Sequence, residues 1–222
     1  MQTPIDKELD ELKQRLLTMA SHTETSVRDA VAALVTRNDD LVLKVKANDD
    51  VLDAFEIEID ELAVQLLAKA PLASDLRFVL VAMKISQNLE RAGDEAAKVA
   101  KRARDLNREA PLKTSVDFSK MAEAAAAMLK GALDAFVNRN PAAARAVIER
   151  DEEVNAFNKQ ARQELEQLMM ASPDNVRRAL NVMIAVKCLE RIADHATNVA
   201  EEVVYLCEAQ DIRHADKASG QP

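Results

Sequence analysis

An all-α fold, built as a tandem duplication of two antiparallel three-helix bundles, is predicted by three features of the sequence. The first is composition. The chain has 222 residues, 48% hydrophobic and only 3% aromatic, with three Gly and no Trp. Ala, Leu, Val, Glu, Lys and Arg dominate, as they do in long packed helices, and the turn signals of a β-sandwich or α/β fold are missing. The second is apolar spacing of three and four residues sustained over long stretches. The third is self-similarity. Leu89-Glu90-Arg91-x-x-Asp94 returns 100 residues later as Leu189-Glu190-Arg191-x-x-Asp194. Around it, Arg77, Leu80, Met83, Ala96, Val99 and Ala100 recur as Arg177, Leu180, Met183, Ala196, Val199 and Ala200.

Each element follows from local signals. Leu9, Leu12, Leu16, Met19, Thr23, Ala30 and Leu34 trace one face of a helix that runs to about Arg37. Asn38-Asp39-Asp40 is a turn of capping residues. A second helix follows to about Ala70 and is broken by Pro71. Ser74 or Asp75 caps a third helix that continues to about Arg108, and Ala110-Pro111-Leu112 links the halves. The second half repeats the plan at an offset of 102: Val35-x-Arg37-Asn38 returns as Val137-x-Arg139-Asn140. Asp49, Ala54-Phe55 and Pro71 return as Asp151, Ala156-Phe157 and Pro173. The offset then falls to 100 because the loop from Pro71 to Arg77 is two residues longer than its partner, as expected of an indel in a loop between conserved helices. Six long helices thus form one bundle over residues 6–108 and a second over 115–209, with a frayed tail over 210–222. Ile85, Leu89, Ala92, Ala96 and Val99 are the core stripe of the third helix. Ala185, Leu189, Ile192, Ala196 and Val199 are that of the sixth.

Several function classes are disfavoured. The formal net charge of −8 argues against nucleic acid as the main ligand. No apolar run approaches the roughly 18 residues of a membrane span. The start, MQTPIDKELDELKQ, is charged and heptad-patterned rather than a signal peptide. Cys188 and Cys207 read as reduced thiols of a cytosolic protein, without a disulfide or a structural zinc site. There is no P-loop, GxGxxG or GxSxG, and no nucleophile with a recognisable context.

The informative residues are carboxylates. Glu90 and Asp94 are spaced i,i+4, on one face of a helix beside the core stripe. Like charges there cost roughly 0.2–0.5 kcal/mol per pair, so a repeated arrangement suggests a compensating cation. The second helix has its own pair, Asp49 and Asp53, whose repeat partners are Asp151 and Asn155. If the second and third helices are antiparallel neighbours, Asp49, Asp53, Glu90 and Asp94 converge in the first repeat. Asp151, Asn155, Glu190 and Asp194 then converge in the second. Hard oxygen ligands on facing helices suit Mg²⁺, Mn²⁺ or Fe ions. The blander reading is a solvated acidic face. Asn155 leaves the second site less charged, with a weaker affinity or a different ion. His195 stands where the first repeat has Glu95 and reads as a surface histidine; His22 and His214 carry no pattern. Arg91 and Arg191 read as ion-pair partners that steady a carboxylate.

The duplicated Leu-Glu-Arg-x-x-Asp, the Pro71-x-Ala-Ser-Asp-Leu-Arg77 loop and the six-helix plan resemble the PhoU family, accessory proteins of bacterial phosphate-specific transport. The resemblance covers about residues 6–214 and includes the Ala209-Gln-Asp-Ile-Arg-His214 tail. It implies two pseudosymmetric three-helix bundles in a homodimer in the bacterial cytoplasm, and a negative regulator of phosphate uptake and of the phosphate-starvation regulon, not an enzyme. The implied partners are the ATPase subunit of the phosphate ABC transporter and a phosphate-sensing histidine kinase, with the membrane met through them alone. It also implies divalent or iron-type metals (Mg, Mn, Zn or Fe) held by (Glu/Asp)-x-x-x-Asp motifs, which fall on Asp49, Asp53, Glu90, Asp94, Asp151, Glu190 and Asp194. Position 155 departs, with Asn in place of Asp. Gly93 is common in the family, whereas its repeat partner is Ala193. An alternative is a metal-dependent helical-bundle hydrolase or oxidoreductase, although the Glu-x-x-His of di-iron bundles is absent. A metal-free structural scaffold is a third.

Overall fold

The computed structural model of the chain describes residues 4–69 and 72–213. Among these residues it contains only helices: α1 (Pro4–Thr36), α2 (Asp39–Leu67), α3 (Ala73–Asn107), α4 (Phe118–Asn138), α5 (Pro141–Glu149), α6 (Asp151–Ala171) and α7 (Val176–Glu208), with a 3₁₀ turn at Pro173–Asn175 before α7. The expected six long helices are α1, α2, α3, α4, the α5–α6 pair and α7. The fifth is interrupted at Arg150. Arg150 N–H bonds Val147 O at 3.1 Å, and Arg150 O accepts from Glu153 N–H at 3.0 Å. These are i→i+3 bonds, a turn tightened without Gly or Pro.

The Arg-Asn pair shared by both repeats has a plain physical role. Arg37 and Arg139 take left-handed backbone conformations, with φ of 55° and 47°, and end α1 and α4. Non-Gly residues adopt this region infrequently. Arg37 is held there by two hydrogen bonds from its guanidinium, to Leu106 O at 2.7 Å and Glu109 O at 2.6 Å. The following asparagines cap the next helices: Asn38 accepts from Asp40 N–H and Asn140 from Ala143 N–H. The start of α3 differs from the sequence expectation. It begins at Ala73 after Leu72, which supplies no side-chain cap, so neither Ser74 nor Asp75 is the cap. The break expected at Pro71 lies outside the described residues.

α3 and α7 form the spine. Within the first repeat α3 packs on α1 and α2. Within the second, α7 packs on α4, α5 and α6, and the two helices pack on each other. They run antiparallel, since Lys84 pairs with Glu202, Asn88 with His195 and Arg102 with Asn181. Both predicted core stripes are fully buried: Ile85, Leu89, Ala92, Ala96 and Val99 in α3, and Ala185, Leu189, Ile192, Ala196 and Val199 in α7. Burying a Leu or Ile side chain contributes about 1.5–3 kcal/mol, and the Ala positions let the helices approach. The linker is pinned too, with Glu164 accepting from Ser115 N–H at 2.6 Å and Thr114 Oγ at 2.7 Å. At the tail, Arg213 reaches back to Glu202 at 3.1 Å. Positions from 214 onward, including His214, lie outside the described residues.

Candidate metal centre

Two acidic faces flank the spine, one per repeat, and the helix packing sets both. In the first, Gly93 leaves room for the buried Leu52 side chain of α2 against α3, which a Cβ there would overlap. The packing of α2 on α3 lays the Asp49–Glu56 stretch along Glu90 and Asp94. Asp49 lies in the field of Asp94, and Glu90 in the fields of Asp94, Glu56 and Asp53. The four first-repeat carboxylates singled out in the sequence therefore share one face, and Glu56 joins them. Its signal was available, three residues beyond Asp53, but its repeat partner is Asn158.

The electrostatics record what crowding costs. Partial burial, reinforced by Asp94, Glu56 and Asp53, pushes the Glu90 carboxyl up to about 7 against the opposing field of Arg91. Partial burial also raises Asp49, with Asp94, Asp53 and Asp50 adding to it. Glu56 is raised by burial, Asp60 and Asp53. Burial and mutual repulsion outweigh the opposing fields of Arg91 on Glu90 and Glu56 and of Lys98 on Asp49. Among the described residues no three His, Cys, Asp or Glu side chains close into a ready-made metal cage. The carboxylates line a common face without meeting at a point.

The second face, on α6 and α7, brings together Asp151, Asn155, Glu190 and Asp194. Asp151 lies in the field of Glu190, and Asp194 in those of Glu190 and Asp151. Burial and these neighbours push Asp194, whose side chain remains solvent-accessible, up to about 6. Glu190 is 8% exposed. Asn155 donates from Nδ2 to Asp151 Oδ2 at 2.8 Å. Asp151 Oδ1 and the nearby Thr197 Oγ1 are buried without a hydrogen-bond partner of good geometry. A buried carboxylate oxygen so weakly satisfied is costly, and a cation at this face would relieve it. The donor set on both faces, carboxylate and amide oxygens, fits hard or borderline divalent ions.

Between the faces, the spine holds a polar node that the repeat pattern did not predict. Glu95 is 5% exposed, with Lys98 at 3.0 Å and Arg191 at 3.3 Å. Burial alone would raise its carboxyl, but hydrogen bonds from Cys188 and Lys98 and the two positive charges hold it below the ordinary value. Cys188 is correspondingly pushed up to about 12, chiefly by burial, and is an inert thiol. His195 is not a surface histidine: it is half-buried, and its Nδ1 meets Asn88 Oδ1 at 3.0 Å across the spine. Arg191 steadies a carboxylate, as expected, but the carboxylate is Glu95 in the other repeat. Both cysteines are free.

Fold and site together define a class, a duplicated all-α bundle with an acidic face on each repeat. Comparison with known proteins is specific. The PhoU domain model matches twice, at residues 16–103 and 118–203, one copy per repeat. A relative from Pseudomonas aeruginosa, a phosphate-specific transport system accessory protein PhoU homolog, is 39% identical over 93% of this chain and 86% of its own length. The homolog of the same description from Aquifex aeolicus is 35% identical over 94% of this chain and 95% of its own. The crystal structure of PhoU from Pseudomonas aeruginosa superposes with a TM-score of 0.90 at 38% identity, covering 92% of this chain and 99% of that one. That of the phosphate transport system regulatory protein PhoU from Streptococcus pneumoniae gives 0.84 at 25% identity, covering 94% and 99%. The chain belongs to the PhoU family.

Proposed function

We propose that this chain is a metal-binding, non-enzymatic regulator of phosphate transport that acts in the bacterial cytoplasm. In this reading it lowers phosphate uptake and expression of the phosphate-starvation regulon when phosphate is plentiful. It does so by coupling the ATPase subunit of the phosphate ABC transporter to a phosphate-sensing histidine kinase. Its relatives' names, accessory and regulatory proteins of phosphate transport, support the transport role. No helix among the described residues is long and apolar enough to cross a membrane.

The observation that carries the metal part is the pair of acidic faces, with Glu90 held up to about 7 and the buried Asp151 Oδ1 without a hydrogen bond of good geometry. Asp49, Asp53, Glu90 and Asp94 would hold ions on the first face, with Glu56 beside them. Asp151, Asn155, Glu190 and Asp194 would do so on the second. A bound cation would supply charge neutralisation and a cross-link between helices. This chain's residues do the rest: Gly93 leaves room for Leu52 of α2 against α3, and the Glu95–Arg191 ion pair ties α3 to α7, with Lys98 bracing Glu95 from within α3. The faces then present a defined surface to a partner, where complementary charge sets specificity and encounter rate more than raw affinity.

Co-purification of the transporter ATPase and the kinase on the immobilised full chain, at high and low phosphate and with and without Mn²⁺, tests this. Capture of both that depends on phosphate or metal is expected. Capture of neither under any condition contradicts the adaptor reading.

A further inference from the structure

The two acidic faces differ in one residue that bears on ion binding and that the repeat does not share. On α7, Lys187 lies one turn before Glu190, and its ammonium forms a close ion pair with Glu190 Oε2. The lysine side chain is half-exposed, whereas that of Glu190 is almost buried. The positive field of Lys187 extends to Asp194 as well. The corresponding position in α3 is Gln87, exposed and uncharged. The first face has a looser lysine neighbour: Lys98 Nζ is 3.0 Å from Glu95 in the spine and 3.7 Å from Asp94, and it makes no pair with Glu90.

We infer that Lys187 is a tethered counter-cation of the α6–α7 face, holding Glu190 where an incoming metal ion would otherwise bind, and that it makes this face the weaker of the two. The inference rests on the metal-site reading above. A divalent ion that uses Glu190 must displace the ammonium or tolerate a positive charge within a few ångströms. Two neighbouring exchanges act in the same direction. Asn155 and Asn158 stand where the first repeat has Asp53 and Glu56, removing two negative charges. The Asn155 amide also occupies Asp151 Oδ2 at 2.8 Å. The second face is thus partly satisfied by its own chain, whereas the first has more carboxylates and no lysine on Glu90.

Calorimetric titration of the metal-stripped full chain with Mn²⁺ tests the inference, with urea midpoints recorded to check that each variant folds. Glu190→Gln/Asp194→Asn isolates the first face and should retain the tighter class of sites. Glu90→Gln/Asp94→Asn isolates the second and should retain the weaker one. Adding Lys187→Gln to the latter should tighten Mn²⁺ binding about five-fold, the equivalent of the upper end for a surface ion pair. Adding Gln87→Lys to the former should weaken it by a similar factor. Equal affinities on the two faces, or no response to Lys187→Gln, would overturn the inference while leaving metal binding intact. No Mn²⁺ uptake by the wild type would overturn both the inference and the metal reading beneath it.

Discussion

The first repeat places Asp49, Asp53, Glu56, Glu90 and Asp94 on one face, whereas the second places Asp151, Glu190 and Asp194 there with Asn155, Asn158 and Lys187 among them. Beneath those faces the cores scarcely differ: Leu89, Ala96 and Val99 match Leu189, Ala196 and Val199, all fully buried. Duplication has therefore been constrained by packing on the inside, where a methyl group matters, and released on the outside, where charge could drift. Even the core divergence is compensated. Where the first repeat has Gly93 and Leu52, the second has Ala193 and Val154, a larger residue on one helix offset by a smaller one on the other.

The largest effect expected is one on which the repeats agree. Leu89→Ala and Leu189→Ala should each cost about 2–5 kcal/mol, read from urea unfolding, because both leave a cavity at a fully buried position. A loss from one repeat alone would break the equivalence of the cores. Next comes the spine. Glu95→Ala should cost about 1–3 kcal/mol by leaving Lys98 and Arg191 without their buried partner, discounted because both cations are half-exposed. Its counterpart His195→Ala removes one hydrogen bond to Asn88 and should cost about 0.5–1.5 kcal/mol. The compensating pair sharpens the comparison further. Gly93→Ala should destabilise by up to about 2 kcal/mol, the strain of moving the buried Leu52 less the roughly 1 kcal/mol that Ala gains over Gly inside a helix, and adding Leu52→Val should relieve that strain by copying the second repeat.

How much of this was legible in the sequence depended on whether the signal was repeated. The core stripes, the Arg-Asn helix junctions and the i,i+4 carboxylates were legible because periodicity and duplication each marked them. Glu56, Glu95 and Thr197 were not, since their counterparts are Asn158, His195 and Ala97 and a repeat comparison discards what only one copy holds. The break at Arg150 had no sequence signal because a turn tightened by two i→i+3 bonds needs neither Gly nor Pro. The cap of α3 was misplaced for the opposite reason: Ser74 and Asp75 are good capping residues, but the helix starts one residue before the first of them.

The smallest effect separates the faces by pH. Glu90 and Asp194 have folded-state values raised, to about 7 and about 6, above their ordinary 4.5 and 3.8. The folded chain binds protons there that the unfolded chain releases, so this contribution to stability is full below the ordinary values. It is lost as pH rises through about 7 for Glu90 and about 6 for Asp194. The urea midpoint of metal-stripped protein should fall between about pH 4 and 7 and level off above that. Glu90→Gln should flatten the upper part of that decline, and Asp194→Asn the lower part. Metal loading runs the other way, since a cation competes with the same protons. A decline unaffected by either substitution would mean that the faces are solvated surfaces.

The most direct measurement is the metal content of the purified protein by mass spectrometry, wild type beside Glu90→Ala/Asp94→Ala/Glu190→Ala/Asp194→Ala. Metal in the wild type and none in the variant, with helicity retained by circular dichroism, is the predicted result. No metal in either protein, even after loading with Mn²⁺, Mg²⁺, Zn²⁺ or Fe²⁺, would contradict the account and reduce the paired carboxylates to an acidic surface.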